Sequence, residues 1–279
     1  MPADHPSAPS LQIRLVAVDL DGTLLTSEGA PAPEGCRLLS LAARQGVRVV
    51  LSTARGAHYT RPFCHQLGIT DPIINSNGAQ IWESPDGLLW ASYTIPRPVA
   101  LEITREADLH GWELSTSVGE MTYWRMRAGQ APGQLSENRT LVETNSDALT
   151  GEPMRILVHQ PEAIACLLDL CLTRFALQCR TELYVSADGR TESLGIFPFA
   201  ANKGTALRFV LDRLNIHPDQ VMAIGDNNSD LPMFYTARVH VAMGNAPANV
   251  KERATAIAPN NDHEGVAWAL QQFLFNEVA

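Results

Sequence analysis

The sequence has no Cys-x-x-Cys pair, and its five cysteines (Cys36, Cys64, Cys166, Cys171 and Cys179) are odd in number. This argues against a disulfide framework and a cysteine zinc site, and it points to a reducing, cytoplasmic setting. No run of Lys or Arg is present either: 21 basic residues against 30 acidic ones give a formal charge of -9. A nucleic-acid polymer is therefore not an expected partner. A phosphorylated small molecule stays open, because a metal ion and one or two local cations can reverse the field inside a cleft. Residues 1–10 are polar, contain proline and lack Lys and Arg, and the apolar run after them is too short for a signal-peptide core or a membrane span. They read as a flexible tail on a soluble protein with no membrane partner. Oligomeric state is not legible.

With 279 residues, 45% of them hydrophobic, the chain can bury a large core, and two domains is the natural expectation. Short, continuous apolar runs occur at Leu15–Val18, Val47–Leu51, Ile73–Ile74, Val221–Ile224 and Val239–Ala242. Runs of this length predict strands buried on both faces. Helical patterns lie between them at Pro33–Gln45, Gly56–Leu67, Lys203–Leu214 and Glu264–Phe275. The alternation predicts an α/β fold, a doubly wound parallel sheet with ligands beyond the carboxyl ends of its strands. The middle of the chain reads as paired, half-exposed strands. A helix at Pro98–His110 precedes a hairpin at Glu113–Ser117 and Met121–Met126. A strand at Arg155–His159 and a helix at Pro161–Phe175 precede a second hairpin at Leu183–Ser186 and Ser193–Ile196, turned at Asp188-Gly189. Residues 129–151 read as loop. The expected division is a core of residues 11–87 plus 197–279, an inserted α+β domain of residues 88–196, and the tail of residues 1–10.

The strongest local signal is Asp19-Leu20-Asp21-Gly22-Thr23, directly after the first predicted strand. The two-residue period lets Asp19 and Asp21 project toward one side, and Gly22 lets the backbone turn and present its N–H groups. Three further groups sit at predicted strand ends or helix starts: Thr53 in Leu51-Ser52-Thr53-Ala54-Arg55, Lys203 in Asn202-Lys203-Gly204, and Gly225-Asp226-Asn227-Asn228-Ser229-Asp230. Taken singly, each has a plain structural reading. Thr53 reads as a helix cap, Lys203 as a surface lysine, Asp226 and Asp230 as a helix-initiating acid and a solvated one, and Asn77 and Asn245 as turn residues.

Taken in order, the four segments resemble the haloacid dehalogenase superfamily, in particular its type IIB Cof-like phosphatases. The resemblance extends to Asn77-Gly78-Ala79, Met243-Gly244-Asn245-Ala246 and Asn261-Asp262-His263-Glu264-Gly265. It implies a Rossmann-like core with an inserted cap that supplies specificity, and hydrolysis of small phosphorylated metabolites such as sugar phosphates or phosphorylated cofactors. By resemblance, Asp19 is the nucleophile that becomes an aspartyl-phosphate, and Asp21 is the general acid and base. Thr53 and Lys203 hold the phosphate. Mg²⁺ is bound by the Asp19 carboxylate, the Asp21 carbonyl and Asp226, with Asp230 a ligand or the support of one. The chain departs from the family pattern at Ser229, where Asn is usual, at Ala54, where Gly is common, and at Gly195, where many relatives carry Glu. The competing readings are a phosphosugar mutase of the same superfamily, a receiver-like module and a non-catalytic phospho-ligand binder. Tyr123, Trp124, Arg125 and Tyr184 in the insertion read first as hairpin surface or core.

Overall fold

Buried apolar strands set the architecture. A computed structural model describes residues 12–125, 137–185 and 190–275. The expected tail at residues 1–10 and the Asp188-Gly189 turn lie outside the described residues. In chain order the regular elements are β1 (Leu15–Val18), α1 (Pro33–Arg44), β2 (Arg48–Ser52), α2 (Ala57–Leu67), β3 (Ile73–Asn75), β4 (Gln80–Trp82), β5 (Leu89–Ser92), α3 (Arg97–His110), β6 (Leu114–Val118), β7 (Met121–Arg125) and β8 (Arg139–Val142). They continue with β9 (Arg155–Val158), α4 (Pro161–Arg174), β10 (Cys179–Val185), β11 (Thr191–Pro198), α5 (Lys203–Leu214), β12 (Val221–Gly225), α6 (Leu231–Phe234), β13 (Val239–Ala242), α7 (Ala248–Lys251), β14 (Ala256–Ile257) and α8 (Gly265–Leu270). Among the described residues no helix is long and apolar enough to cross a membrane.

Two compact units result. One holds the chain up to Ser52, Phe63–Pro72 and the chain from Leu207 onward; the other holds Thr53–Pro62 and Ile73–Ala206. In the first unit the strands lie in the order β14-β13-β12-β1-β2, all parallel. Every residue of β1 and β12 is buried, as expected of parallel strands covered on both faces by helices. Their register pairs Val18 with Ile224, so Asp19, next after Val18, and Asp226, just past Gly225, both emerge at the carboxyl edge. Helix α1 starts on Pro33 with Glu34 in its first turn, and the Glu264 carboxylate accepts from the N–H groups of Glu34 (3.1 Å) and Gly35 (2.9 Å). An anion at that end satisfies otherwise unpaired donors and opposes the positive helix terminus.

In the second unit, β3, β4 and β5 form an antiparallel ribbon, and a six-stranded sheet runs β10-β11-β9-β6-β7-β8. All its neighbours are antiparallel except β7 and β8. Helices α3 and α4 cover one face, where Val99, Ile103 and Ala107 of α3 and Ile164, Leu167 and Cys171 of α4 pack with Leu114, Ile156, Val158, Leu194 and Ile196. Strand periodicity then sends Ser115, Arg155 and Leu157 to the opposite face. The helix-then-hairpin pattern expected twice is present as α3-β6-β7 and α4-β10-β11. Two expectations need correcting. Residues 139–142, read as loop, are the edge strand β8, whose Arg-Thr-Leu-Val is too short and half-exposed to show a period. The second hairpin is longer than its apolar residues indicate, because pairing between β10 and β11 carries Cys179 through Thr181 as well.

Ile156, fully buried in β9, is a direct probe of this second core. Ile156→Ala is expected to cost roughly 2–5 kcal/mol, seen as a lower urea midpoint for loss of structure. A midpoint unchanged from the parent protein would contradict the packing described.

Candidate active site

The first unit gathers carboxylates at the carboxyl edge of β1 and β12. Asp19 is 5% exposed, and its N–H donates to the Ile224 carbonyl at 3.1 Å, extending the ladder by one residue. The chain then wraps over itself: Thr23 N–H donates to Leu20 O (3.2 Å), Leu24 N–H to Asp19 O (3.3 Å) and Leu25 N–H to Leu20 O (2.8 Å). Gly22 makes the turn at φ +76, and a Cβ there would lie 2.4 Å from Asp226 Oδ2. Only glycine meets both conditions, which is the physical content of the Asp-Leu-Asp-Gly pattern. Asp21 is exposed beside this turn.

Asp230 is fully buried, and its Oδ2 accepts from the backbone N–H groups of Asp226 and Asn227, both at 2.9 Å. The carboxylate thus folds the loop that aims Asp226. Gly225 is required below it, because a Cβ there would lie 2.5 Å from the Asp230 side chain. Asp226 also accepts from Thr23 Oγ1 (2.8 Å). Asp19, Asp226 and Asp230 each offer an oxygen, and these oxygens lie within 4.8 Å of one another. Three acids so close, with hard oxygen donors, suit a divalent cation. The sequence places these residues together, and it groups Asp21 with them.

Thr23 and Asn245 are supporting residues that motif reading undervalues. Asn245 Nδ2 donates to Gly22 O (2.8 Å), and its Oδ1 accepts from Asn261 N–H (3.1 Å). Asn261 Nδ2 donates in turn to Leu25 O (2.9 Å), and Asp262 Oδ1 accepts from Ser27 N–H (2.8 Å). The Met243–Ala246 and Asn261–Gly265 segments therefore clamp the loop after Asp21, beyond the turn role read for Asn245.

Thr53 and Lys203 belong to the second unit. Thr53 is fully buried, and its hydroxyl accepts from Arg55 N–H at 3.1 Å, which keeps the hydroxyl proton for donation. It does not cap α2, whose first residue is Ala57. Lys203 is 2% exposed at the first turn of α5, so the surface-lysine reading fails. Asn202 caps that helix: its Oδ1 accepts from Thr205 N–H (2.9 Å), and Thr205 Oγ1 accepts from Asn202 N–H (3.2 Å). Against Asn202 packs Gly78, at φ +91, where a Cβ would stand 2.3 Å from the Asn202 carbonyl oxygen. Its neighbour Asn77, at φ 51, donates to Glu182 Oε2 (2.8 Å) and Tyr184 Oη (3.0 Å), with N–H to Thr53 O (3.0 Å). Burial, then the Glu182 carboxylate, push the Tyr184 phenol well above its ordinary range. Asn77 thus ties the Thr53 segment to the β10 side chains.

Two of the departures have a local account, and nothing in the structure explains Ser229. A Cβ on Gly195 would lie 2.5 Å from the Phe197 ring and 3.1 Å from the Tyr184 ring, so glutamate has no room. Ala54 is not among the non-glycine residues with positive φ, which in the described chain are Ser76, Asn77, Asn215 and Glu264. Its Cβ is therefore accommodated without strain. Arg125 bonds the carbonyls of Glu143 and Trp112 and faces Asp108, and Tyr123 bonds Thr150, both structural as read.

Comparison with known proteins agrees with this architecture. A family model described as haloacid dehalogenase-like hydrolase matches residues 16–270. The chain is 29% identical over 269 residues to 5-amino-6-(5-phospho-D-ribitylamino)uracil phosphatase YcsE of Bacillus subtilis, covering 95% of this chain and 97% of that one. It is 28% identical to the HMP-PP phosphatase of Serratia proteamaculans, covering 94% and 95%. In fold it is similar to a haloacid dehalogenase-like hydrolase from Bacteroides thetaiotaomicron, with a TM-score of 0.80 at 22% identity over 94% of this chain and 99% of that one.

Asp230→Asn preserves size but removes charge and one carboxylate acceptor. Titration calorimetry with Mn²⁺ is expected to show affinity weakened roughly 10- to 100-fold. An affinity equal to that of the parent protein would remove Asp230 from the cation site.

Proposed function

The chain belongs to the haloacid dehalogenase-like hydrolases and is a phosphatase of small phosphorylated molecules; from this we propose that it is a Mg²⁺-dependent phosphomonoester hydrolase working through an aspartyl-phosphate on Asp19. Its substrates are sugar phosphates or phosphorylated cofactors, and residues 88–196 serve as the cap that selects the leaving group. The observation that carries the reading is the convergence of Asp19, Asp226 and Asp230 oxygens within 4.8 Å at adjacent strand ends. Asp19, the Asp21 carbonyl and Asp226, supported by Asp230, are the residues to hold Mg²⁺. When bound, the ion offsets the negative charge of the carboxylates and the phosphate.

The chemistry then falls to the chain's own groups. An Asp19 carboxylate oxygen attacks phosphorus in line, forming the Asp19–phosphorus bond as the bond from phosphorus to the leaving oxygen breaks. Asp21 gives its proton to that oxygen, releasing the alcohol. Asp21 next takes a proton from a water whose oxygen attacks phosphorus, and the bond to Asp19 breaks, freeing phosphate and restoring the carboxylate. Asp21 is exposed, in keeping with proton exchange at each turnover. The Thr53 hydroxyl donates to a phosphoryl oxygen, and Lys203 balances its charge.

Phosphate release from a panel of small phosphomonoesters is expected to require added Mg²⁺, to stop with chelator, and to fall by at least about a thousandfold in Asp19→Asn. Free phosphate as the product separates hydrolysis from a mutase. Release unaffected by Asp19→Asn in clean preparations would remove the assigned nucleophile.

A further inference from the structure

The second unit contains a cavity of about 400 Å³ whose lining includes Arg55, Tyr59, Trp124, Arg139, Arg155 and His159. This volume suits a small ligand. No Asp or Glu is among the described residues that line it, although acidic residues outnumber basic ones 30 to 21 in the chain. Elsewhere in this unit arginines meet carboxylates: Arg61 with Glu120 at 2.7 Å, Arg180 with Glu182 at 3.3 Å, and Arg125 with Asp108 at 3.5 Å. Arg139 and Arg155 have no such partner among the described residues. Arg139 Nη2 donates to Tyr59 Oη (2.9 Å), and its guanidinium lies 5.9 Å from the Trp124 ring centre.

Arg155 is the more telling case. It leaves β9 on the sheet face opposite the helices, donates from Nη1 to Ala54 O (2.9 Å) and from Nη2 to Ser117 Oγ (3.2 Å), and keeps a fully buried Nε with no hydrogen-bond partner. Burial pushes its affinity for the proton below that of an ordinary guanidinium. A cation withdrawn from water with an idle donor is costly unless an anion completes it. The cavity also borders the segment assigned to phosphate: Arg155 holds the Ala54 carbonyl, and Arg55, in the lining, donates its N–H to Thr53 Oγ1.

We infer that this cavity binds a second anionic group of the phosphorylated ligand, a phosphate or a carboxylate, through Arg155 and Arg139. This rests on the reading of Thr53 and Lys203 as the phosphate-holding residues. Preferred ligands are phosphomonoesters bearing a further anion, ahead of sugar monophosphates whose only anionic group is the phosphate.

Two matched pairs test the inference: fructose 1,6-bisphosphate against fructose 6-phosphate, and 6-phosphogluconate against glucose 6-phosphate. Each pair is measured as kcat/KM on the full chain and as Kd on its Asp19→Asn form, which reads binding without turnover. At least one member with a second anionic group is expected to lead its singly substituted counterpart by roughly tenfold or more, and which pair shows the lead separates phosphate from carboxylate. The lead is expected to shrink in Arg155→Gln and in Arg139→Gln. The second variant lies at an exposed position and guards against loss of folding in the first. Equal values within both pairs, or a lead that survives both substitutions, overturns the inference while phosphate release keeps the hydrolase standing. A binding lead that depends on the arginines, without phosphate release from any of the four, supports the anion site and marks these compounds as ligands and not substrates.

Discussion

Like charges held together at the end of a sheet are the constraint on which the first unit depends. Two ionised carboxylates whose oxygens lie within 4.8 Å repel by roughly 3.5 kcal/mol or more at an effective dielectric of about 20, and Asp19 and Asp230 are buried besides. The fold offsets this with donors aimed at the acids. Asp230 receives two backbone N–H groups, and Asp226 receives the Thr23 hydroxyl. Glycine occupies positions 22 and 225 because any larger residue would displace those acids. A divalent cation would complete the balance that these donors begin, and the burial of Asp19 and Asp230 sets the arrangement apart from an ordinary acidic surface.

The second unit solves a different problem, that of holding single side chains still. Thr53 and Lys203 are far apart in sequence and both are buried. Asn77 reaches from the Thr53 backbone to Glu182 and Tyr184, while Gly78 lies against the Asn202 carbonyl just before Lys203. Arg180 adds bonds to the carbonyls of Asn77 and Ala201. The positive φ of Asn77 and Gly78 is the local cost of that close approach, one that Asn and Gly bear more easily than other residues.

The strands and the acid motifs were readable because their signals are local. Leu15–Val18 and Val239–Ala242 are short apolar runs with the observed limits, and Asp19, Asp226 and Asp230 sit next to strand ends in sequence. What escaped depends on tertiary partners. Edge strand β8 has too few residues to show a period, and β4 and β5 are as short. Arg139 and Arg155 look like any surface arginine until the sheet turns them toward one cavity whose described lining holds no carboxylate. Thr23 and Asn245 carry no signal of their own, since each matters through a bond to a residue some two hundred positions away. Gly195 stood out as a departure, and its reason, the Phe197 ring against its Cα, exists only in the folded chain.

The central claim is that Asp19, and no neighbouring acid, carries the phosphoryl group. The direct measurement is acid quench during turnover followed by borohydride reduction, which converts an acyl phosphate to an alcohol at the residue that bore it, with the position read by peptide mass spectrometry. The account predicts reduction at position 19 alone, dependent on substrate and Mg²⁺. Reduction at Asp21, Asp226 or Asp230, or none during sustained phosphate release, would contradict it.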